Sequence, residues 1–367
     1  MKPTSVRLTE ELAALVSCES PSADLAATSA CARLTAEIGA AWLGEPPERH
    51  EIAGRTHLLW AFGAVPRVLL LGHFDTVWPI GTLSRWPFVI DGGRASGPGV
   101  FDMKAGVIEA FAALARLDEL DGVRVLLTSD EELGSETSRA LIEDTARDAA
   151  AALVLEPGLG HAVKTGRKGV STYRLRVTGR AAHAGLEPER GVNAAIEVAH
   201  QVLALGRLAD TEAGTTVTPT TMSAGSSVNT VPQDANLDVD VRALSQDEQV
   251  RVDEQIRALP TRLAEARMDV EGGINRPPLD PASSAALFTL AKEIAAELGH
   301  PPLEGVTVGG GSDGNFTAAQ GIPTLDGLGA IGGLAHAEGE WASLDELPRR
   351  VDLVSELTRR LLVSASD

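Results

Sequence analysis

The stretch VLLLGHFD (residues 68–75) places four apolar residues directly before a glycine and a group of polar side chains. A short apolar run that ends at a glycine is typical of a buried strand. Similar runs recur at 123–128 and 152–155, and segments with helical periodicity separate them at 104–117 and 138–148. Strands that alternate with helices predict a layered α/β domain with a largely parallel sheet.

Two further helices are predicted ahead of this stretch, at 7–17 and 22–41, because Leu, Ala and Val recur there at helical spacing. Pro21 and Ser22 lie between them and have the character of a helix stop and a helix cap. The chain is therefore expected to open with a helical pair.

A different pattern begins near Ser171, where apolar and polar residues alternate as in a half-exposed antiparallel strand. The elements that follow are predicted in the order helix, strand, strand, helix, strand, with the helices at 189–206 and 246–264. This order fits a small two-layer α+β domain.

The strand and helix alternation of the first part resumes after the proline pair at 277–278, with a helix predicted at 283–298. The chain has 367 residues, and a single hydrophobic core stops growing near roughly 250 to 300 residues. We therefore predict a larger domain made of residues 1–168 and 280–367, with residues 169–279 inserted into it as a second domain.

The formal net charge of -19 comes with basic residues that are scattered rather than clustered. Such a field repels phosphate backbones and anionic lipids, so we expect neither nucleic acid nor a membrane as a partner. Glu10 and Glu11 interrupt any apolar signal core, and no segment approaches the roughly 20 apolar residues of a membrane span. The sequence favours a cytoplasmic protein, in which Cys18 and Cys31, outside any C-x-x-C pair, are ordinary reduced thiols.

Polar residues that can bind a metal follow the predicted strands or lie in glycine-rich loops. His73 and Asp75 are two residues apart on an extended segment, so the carboxylate can accept the second ring N–H of a metal-binding imidazole. The other candidates are Asp102, Asp130, Glu131, Glu132, Glu156 and His336. Taken singly, Asp102 also fits a helix N-cap, residues 130–132 fit a solvated acidic loop, and His336 fits an ordinary loop histidine.

Taken together, two histidines and several carboxylates at strand ends favour a metal centre. Nitrogen and oxygen ligands without thiolate suit zinc, cobalt or manganese. A carboxylate shared between ions suits a pair of metals about 3.5 to 4 Å apart. The residues therefore predict a site for two neighbouring metal ions.

Four motifs occur in a fixed order along the chain: GHFDTV (72–77), GPGVFDMKAG (97–106), DEELGS (130–135) and GRAAHAG (179–185). With them the chain resembles the M20 metallopeptidase family over nearly its whole length, and it is most similar to the glutamate carboxypeptidase branch. The resemblance implies a zinc-exopeptidase-like catalytic domain. It also implies that the inserted domain is ferredoxin-like and serves as a lid and dimerisation domain.

The same resemblance implies a role for each metal-site candidate. His73 and Glu156 would bind a first zinc ion, and Glu132 and His336 would bind a second. Asp102 would bind both ions. Asp75 would orient His73, and Glu131 would be the general base and acid. The peptide bond after Asp102 would be cis. The segment from Gly333 to His336 is longer than the Gly-x-His motif expected for the family. His336 is therefore the candidate ligand that departs most from the family pattern.

In the inserted domain, the resemblance implies that His183 helps to stabilise an oxyanion in the active site of a partner subunit, with Asn229 nearby. The active unit would then be a homodimer. From the residues alone, His183 can also be a turn histidine before Gly185. Arg242 closes an alternating strand, where it is either a salt-bridged strand residue or a bidentate clamp for a substrate carboxylate.

The glycine-rich loop at 309–314 lacks the Lys-Ser/Thr ending that a phosphate-binding P-loop requires. Beside the family resemblance, we expect the backbone N–H groups of Gly310, Gly311 and Ser312 to receive the terminal carboxylate of a substrate.

The predicted activity is hydrolysis of the amide bond of a peptidyl or N-acyl amino acid with a free carboxylate, with a C-terminal glutamate as one candidate. An N-acyl-amino-acid deacylase of the acetylornithine deacetylase type is the alternative within the same chemistry. Glu156 in place of aspartate leans away from the family's dipeptidases but does not separate these two activities. A binding protein that keeps the metals without catalysis is the rival of another class, and Glu131 argues against it because a pure binder needs no acid to deprotonate water.

Overall fold

The chain, seen in a computed structural model that describes residues 4–364, divides into two units. The large unit comprises the residues up to Gly166, Leu279–Val308 and the residues from Ser312 onward. The inserted unit comprises Arg167–Pro278 together with Gly309–Gly311. Each unit has its own hydrophobic core, and each is described by itself.

The helices over the described residues are α1 (Thr4–Ser17), α2 (Leu25–Leu43), α3 (Thr82–Arg85), α4 (Ala105–Leu114), α5 (Arg139–Ala146), α6 (Ala194–Leu205), α7 (Gln246–Arg257), α8 (Pro281–Glu297), α9 (Gly314–Ala319) and α10 (Leu347–Ser364). Within residues 4–364, none of these helices is both long enough and apolar enough to span a bilayer.

The strands of the same residues are β1 (Glu48–Ile52), β2 (Arg55–Ala61), β3 (Val68–His73), β4 (Val89–Asp91), β5 (Arg94–Ser96), β6 (Val123–Thr128), β7 (Ala151–Val154), β8 (Val163–Arg167), β9 (Gly169–Thr178), β10 (Thr216–Ala224), β11 (Asp234–Ala243), β12 (Arg267–Arg276), β13 (Gly305–Val308), β14 (Thr324–Leu325), β15 (Gly332–Gly333) and β16 (Trp341–Ser343).

The large unit is built on a six-stranded sheet in the order β1-β2-β6-β3-β7-β14. Strand β3 lies between β6 and β7 and is parallel to both, and β14 adds a further parallel strand beside β7. The apolar runs in the sequence are β3, β6 and β7, so the prediction of an α/β unit with a largely parallel sheet is confirmed. The antiparallel hairpin β1-β2 is not predicted, because β1 is charged and mostly exposed and shows no apolar pattern.

Helices cover both faces of this sheet, and β3 and β6 are buried at every residue as a result. Val68 and Leu70 face a core that draws on α1, α2, α4, α8 and α10. Leu69 and Leu71 face a second core, which includes Phe316 of α9. Side chains alternate between the faces of a strand, so a strand with two dry faces appears in the sequence as an uninterrupted apolar run.

Helix α4 comes very close to the end of β7. A Cβ atom on Gly106 would lie 2.2 Å from the backbone oxygen of Leu155, so only glycine allows this approach. The turn before α4 carries Asp102, and the segment after β7 carries Glu156. Close packing of the helix on the strand end therefore brings these two acids toward each other.

The inserted unit has a four-stranded antiparallel sheet in the order β10-β11-β9-β12. Alternate residues of its central strands, such as Leu175 and Leu237, form a core with Val198 of α6 and Val252 of α7. The predicted order of elements and the two-layer α+β architecture are both confirmed.

Among the helix boundaries that differ from the prediction, those of α6, α7 and α2 have a clear local reason. Helix α6 begins at Ala194 rather than 189, because the Asn193 side chain accepts hydrogen bonds from N–H groups of the first turn. Helix α7 ends at Arg257 rather than 264, and Pro260 follows shortly, without an N–H to continue the helix. Helix α2 is capped by Asp24, so the interpretation of Ser22 as its cap is wrong.

Candidate metal centre

The predicted ligands meet at one edge of the six-stranded sheet. His73 is the last residue of β3, Glu156 follows β7 closely, and residues 130–132 follow β6. Parallel strands place their carboxyl ends at the same edge, so these side chains converge. Asp102 joins them from the turn before α4, and the Asp102–Met103 peptide bond is cis, as the family resemblance implied.

The Asp102 carboxylate lies between two imidazoles. Its Oδ1 is 3.4 Å from Nε2 of His73, and its Oδ2 is 3.3 Å from Nε2 of His336. Each imidazole also has an acidic neighbour of its own. Nε2 of His73 is 3.5 Å from Oε1 of Glu156, and Nε2 of His336 is 3.0 Å from Oε1 of Glu132. The structure thus brings all five candidate ligands together as two His–Glu pairs around one shared carboxylate.

These residues fit a pair of divalent cations. Nε2 of His73 and Oδ1 of Asp102 are buried without a hydrogen-bond partner, whereas buried polar atoms are normally satisfied. Ligand atoms of His73, Asp102 and Glu132 all lie within 4.8 Å of one another, and so do those of His73, Glu131 and Glu156. The donors are nitrogen and oxygen only, which suits zinc, cobalt or manganese.

The charges at this centre are strongly coupled. Burial would lower the pKa of His73, but contacts with Asp102 and the neighbouring carboxylates outweigh burial and hold that pKa well above its usual value. Contacts with Asp102 and Glu132 raise the pKa of His336 to about 10. Burial, with the like charge of Asp102 nearby, raises the pKa of Glu132 although the His336 contact opposes it. The acids therefore require positive charge between them, which protons or cations can supply.

Asp75 connects His73 to the acidic turn at 130–132. It is fully buried, and Nδ1 of His73 lies 3.0 Å from its backbone carbonyl oxygen and 3.3 Å from its Oδ1. Its two oxygens also accept the backbone N–H groups of Glu131 and Glu132 at 3.3 and 3.2 Å. The hydroxyl of Ser22 donates a further hydrogen bond of 2.6 Å to Oδ2. Asp75 therefore has the position expected of a residue that orients His73, and Ser22 supports it from the connection between α1 and α2.

Glu131 and Glu132 share a short 3₁₀ turn after β6 but have different neighbours. The Glu132 carboxylate contacts His336, whereas a carboxylate oxygen of Glu131 lies near the ligand atoms of His73 and Glu156. Lys164, which the sequence did not single out, places its Nζ 3.7 Å from Oε2 of Glu156. This cation adds to the positive charge around the acids.

His336 reaches the centre from the loop after β15 with its side chain 49% exposed. Its backbone φ is 60°, in the left-handed region that residues other than glycine rarely adopt. Although the segment before His336 is longer than the family motif, its Nε2 is within 3.3 Å of both Asp102 and Glu132.

Glu340 is a buried residue that sequence reasoning missed. Its carboxylate accepts the backbone N–H groups of Gly99, Phe101 and Asp102 at 3.1, 2.8 and 2.9 Å. It also accepts the indole N–H of Trp78 at 2.9 Å. Glu340 therefore holds the turn that carries the shared aspartate. In the sequence, Glu340 is marked only by its position four residues after His336, and a solvent-exposed acid could occupy the same position.

The sequence of the chain matches a known family. Residues 69–360 match the model of peptidase family M20/M25/M40. The chain belongs to this family. As an M20 peptidase it is an enzyme, and the resemblance stated from the four motifs is confirmed.

Individual relatives agree with the family match. This M20 peptidase is 33% identical over 303 residues to carboxypeptidase G2 from Pseudomonas sp. (strain RS-16), covering 79% of this chain and 72% of that protein. It is 28% identical over 341 residues to a succinyl-diaminopimelate desuccinylase from Stenotrophomonas maltophilia (strain R551-3), covering 86% and 89%. The solved structure of a dinuclear metal-binding M20 peptidase from Bacillus subtilis is similar in fold, with a TM-score of 0.65, 16% identity and 99% of both chains covered.

In the inserted unit of this M20 peptidase, His183 is exposed and forms a turn. Its Nδ1 accepts the backbone N–H groups of Gly185 and Leu186 at 3.1 and 3.2 Å. Asn229 lies on the adjacent segment, where its carbonyl oxygen accepts the N–H of Ala184 at 2.9 Å. The structure thus places His183 beside Asn229 and leaves Nε2 as the ring nitrogen that the turn does not use.

Arg242 has the arrangement of a salt-bridged strand residue. Its guanidinium pairs with Asp240 of the same strand, with Nη2 2.8 Å from Oδ2, and its side chain is 30% exposed. To bind a substrate carboxylate, Arg242 would therefore have to contact the substrate while it stays paired with Asp240, or break its pair with Asp240.

The glycine-rich loop is only partly available for ligand binding. The carbonyl oxygens of Gly310 and Gly311 accept Nη1 of Arg167 at 3.1 and 3.0 Å. Ser312 is fully buried, and its backbone N–H donates to Oδ1 of Asn315 at 2.9 Å. A substrate carboxylate that binds this N–H, as we expect from the sequence, would have to replace Asn315 as its acceptor.

We predict that Glu340→Gln weakens zinc binding by roughly 10- to 100-fold, the range typical when a group that supports a metal ligand is lost. The amide would direct an N–H group at backbone N–H donors that now meet a carboxylate oxygen. Zinc affinity is measured by competition with a chromophoric chelator. Glu338→Gln is the matched control, because Glu338 is exposed in the same loop and should bind zinc as the unaltered protein does. Equal affinity in both variants would show that Glu340 does not position the ligand turn.

Proposed function

We propose that this M20 peptidase is a two-metal hydrolase that cleaves the amide bond of a peptidyl or N-acyl amino acid with a free carboxylate. The Asp102 carboxylate between the imidazoles of His73 and His336 is the observation that carries the proposal. The family relative described as a dinuclear metal-binding peptidase supports a pair of metals. We propose His73 and Glu156 as ligands of the first cation, and Glu132 and His336 as ligands of the second. Asp102 is proposed to bind both cations.

Two divalent cations, proposed to be zinc with cobalt or manganese as alternatives, would polarise the scissile carbonyl and make a water more acidic. Glu131 takes the proton of the attacking water and passes it to the leaving amine. Its carboxylate is within 4.8 Å of the ligand atoms of His73 and Glu156, so it borders the place where the reaction occurs. Asp75 accepts the backbone N–H of Glu131 and thereby holds the acidic turn at a fixed position relative to His73.

We predict that Glu131→Gln abolishes turnover while both metals stay bound. Glutamine keeps the size of the side chain but cannot take a proton, so kcat should fall by roughly 10² to 10⁴ or more. Steady-state kinetics and elemental analysis of the same protein sample measure the two effects.

Glu132→Gln is the matched variant one residue away, and it should lose affinity for one cation so that added metal restores part of the rate. If Glu131→Gln instead lost a metal and excess zinc rescued it, the proposed roles of the two glutamates would have to be exchanged.

The substrate class rests on the similarity to carboxypeptidase G2, and the 28% identity to a desuccinylase keeps an N-acyl-amino-acid deacylase as the second candidate. Arg242 is proposed to bind the substrate carboxylate, since its planar guanidinium can form two parallel hydrogen bonds. Asn229, Gly310 and Gly311 are proposed to line the same substrate site.

Hydrolysis of peptides that end in glutamate, of dipeptides and of N-acyl amino acids, each as acid and as amide, tests this assignment. We expect the acids to be preferred, and Arg242→Lys to raise KM for the acids because an ammonium cannot replace the planar fork. Arg174→Lys is the control, because Arg174 makes a similar exposed pair with Asp238 and has no proposed contact with substrate. Equal kinetics for acid and amide forms would contradict the role of Arg242.

The assembly is proposed to be a homodimer in which His183 acts at the active site of the partner subunit and stabilises the oxyanion. The exposed position of His183 on a turn beside Asn229 supports this proposal. A cytoplasmic location, and the lack of nucleic-acid and membrane partners, stay predictions from the sequence.

Mixing inactive His183→Ala with inactive Glu131→Gln protein should recover activity, because some hybrid dimers pair an intact His183 with an intact Glu131. Activity of the mixture, compared with each variant alone, is the measurement. No recovery after demonstrated subunit exchange would rule out a role of His183 across subunits.

A further inference from the structure

His57 of β2 is a fully buried histidine that is not among the proposed ligands. Its Nδ1 accepts the backbone N–H of Ser129 at 3.3 Å, and its Nε2 lies 3.1 Å from the hydroxyl oxygen of Thr137. Ser129 comes directly before the acidic turn, and Thr137 lies a few residues after it. His57 therefore contacts the chain on both sides of the turn that carries Glu131 and Glu132.

The two partners of His57 decide where its ring proton lies. A backbone N–H can only donate a hydrogen bond, so Nδ1 is the acceptor and carries no hydrogen. Burial outweighs the charges of Asp130 and Asp75 and lowers the pKa of His57, which favours the neutral imidazole. The proton of the neutral ring is then on Nε2, which donates it to the hydroxyl oxygen of Thr137.

Thr137 continues this chain of hydrogen bonds to Asp130. Its hydroxyl and its backbone N–H both donate to Oδ2 of Asp130, each at 2.7 Å. Oδ1 accepts the hydroxyl of Ser138 at 2.6 Å. The backbone carbonyl of Asp130 accepts the N–H groups of Leu133 and Ser135 at 3.1 and 2.9 Å. Asp130, a candidate ligand in the sequence, therefore joins the acidic turn to the residues that precede α5.

A second side chain of β2 supports the start of the turn. Arg55 is two residues before His57, so the two side chains point to the same face of the strand. Nη1 of Arg55 donates to the carbonyl oxygen of Ser129 at 3.3 Å and to that of Ser22 at 2.6 Å. Both backbone groups of Ser129, the residue directly before the turn, are thus bonded to side chains of β2.

We propose that His57 is a positioning residue for the hydrolysis, and that its two hydrogen bonds fix the acidic turn where Glu131 meets the attacking water and Glu132 meets its cation. This role rests on the proposed function, because it concerns the same water and the same cation. Asp75 accepts two N–H groups of the turn itself, whereas His57 fixes the residues on either side of it. The backbone of the turn therefore cannot shift without breaking a hydrogen bond. A misplacement of about 1 Å can lower a rate by roughly 100-fold.

Variants at Thr137 test this chain of hydrogen bonds in the zinc-loaded protein. Thr137→Val keeps the shape of the side chain but can neither accept from His57 nor donate to Asp130, whereas Thr137→Ser keeps the hydroxyl. We expect Thr137→Val to lower kcat by roughly 10- to 100-fold with little change in KM, because a misplaced general base slows the chemical step and not substrate binding. Thr137→Ser should recover most of kcat.

Thr358→Val is the matched control and should leave kcat unchanged. The hydroxyl of Thr358 is buried in α10, where it donates to the carbonyl oxygen of Val354. Kinetics are measured with the acid that the unaltered protein hydrolyses fastest among peptides that end in glutamate, dipeptides and N-acyl amino acids.

The visible absorption spectrum of the cobalt-loaded protein is the second measurement, because it depends on the arrangement of the ligands and not on turnover. The spectrum should change in Thr137→Val, in which Glu132 is displaced. In Thr137→Ser and Thr358→Val it should match that of the unaltered protein.

Two variants of His57 separate its hydrogen bonds. An asparagine oxygen takes about the place of Nδ1 and can accept the N–H of Ser129, whereas a glutamine nitrogen takes about the place of Nε2 and can donate to Thr137. We expect His57→Asn and His57→Gln each to lower kcat, by less than His57→Ala, which removes both hydrogen bonds. A folded His57→Ala protein with the kcat and the cobalt spectrum of the unaltered protein would overturn the proposal.

The outcomes also separate this role from the proposed function. If the unaltered protein hydrolyses the acids but Thr137→Val matches it in kcat and in cobalt spectrum, the positioning role is contradicted and the proposed function stands. A lower unfolding temperature of Thr137→Val with unchanged kcat has the same meaning, because the hydrogen bonds then serve stability alone. If the unaltered protein hydrolyses none of the acids, the proposed function is contradicted. An unchanged cobalt spectrum in Thr137→Val would then overturn the positioning of Glu132 as well.

Discussion

Mutual repulsion among acids at the carboxyl edge of the sheet is the constraint on which the rest of the large unit depends. Asp102, Glu132 and Glu156 lie close together with side chains that are 14% exposed or less, where water screens their charges poorly. Two imidazoles stand between them, and the unsatisfied Nε2 of His73 faces the unsatisfied Oδ1 of Asp102. A pair of cations would resolve both problems, because cations would neutralise the acids and bind the nitrogen and oxygen atoms that lack hydrogen-bond partners.

Holding such a cluster requires a rigid support, and the fold supplies it in two ways. The strands β3 and β6 are buried on both faces, so the proposed ligands that follow them are attached to the ends of close-packed strands. Two of the turns at this edge of the sheet are held by carboxylates that accept backbone N–H groups. Asp75 accepts those of the Glu131–Glu132 turn, and Glu340 accepts those of the Asp102 turn. Buried acids therefore have two separate uses in this protein, as proposed metal ligands and as hydrogen-bond acceptors that hold the loops.

The connection between α1 and α2 adds to this support. The hydroxyls of Ser20 and Ser22 donate hydrogen bonds to the carbonyl oxygen of Phe74 and to the carboxylate of Asp75. Ser22 therefore ties this connection to the same carboxylate that accepts the N–H groups of the Glu131–Glu132 turn.

The sequence by itself determined the alternation of β3, β6 and β7 with helices, the order of elements in the inserted unit and the types of residue at the strand ends. Those features depend on local patterns. A strand that is covered on both faces has a continuous apolar run, whereas a half-exposed strand alternates apolar and polar residues, and a few residues are enough to distinguish the two. The tertiary structure alone decided which side chains meet. His336 and Glu132 are 204 residues apart in the chain, Glu340 and Asp102 are 238 apart, and no local pattern marks either contact. Ser22 shows the difference most directly. A serine before a helix predicts a cap, but the neighbouring Asp24 occupies that position, and the Ser22 hydroxyl finds a stronger, charged acceptor in Asp75, which the folding of β3 brings beside it.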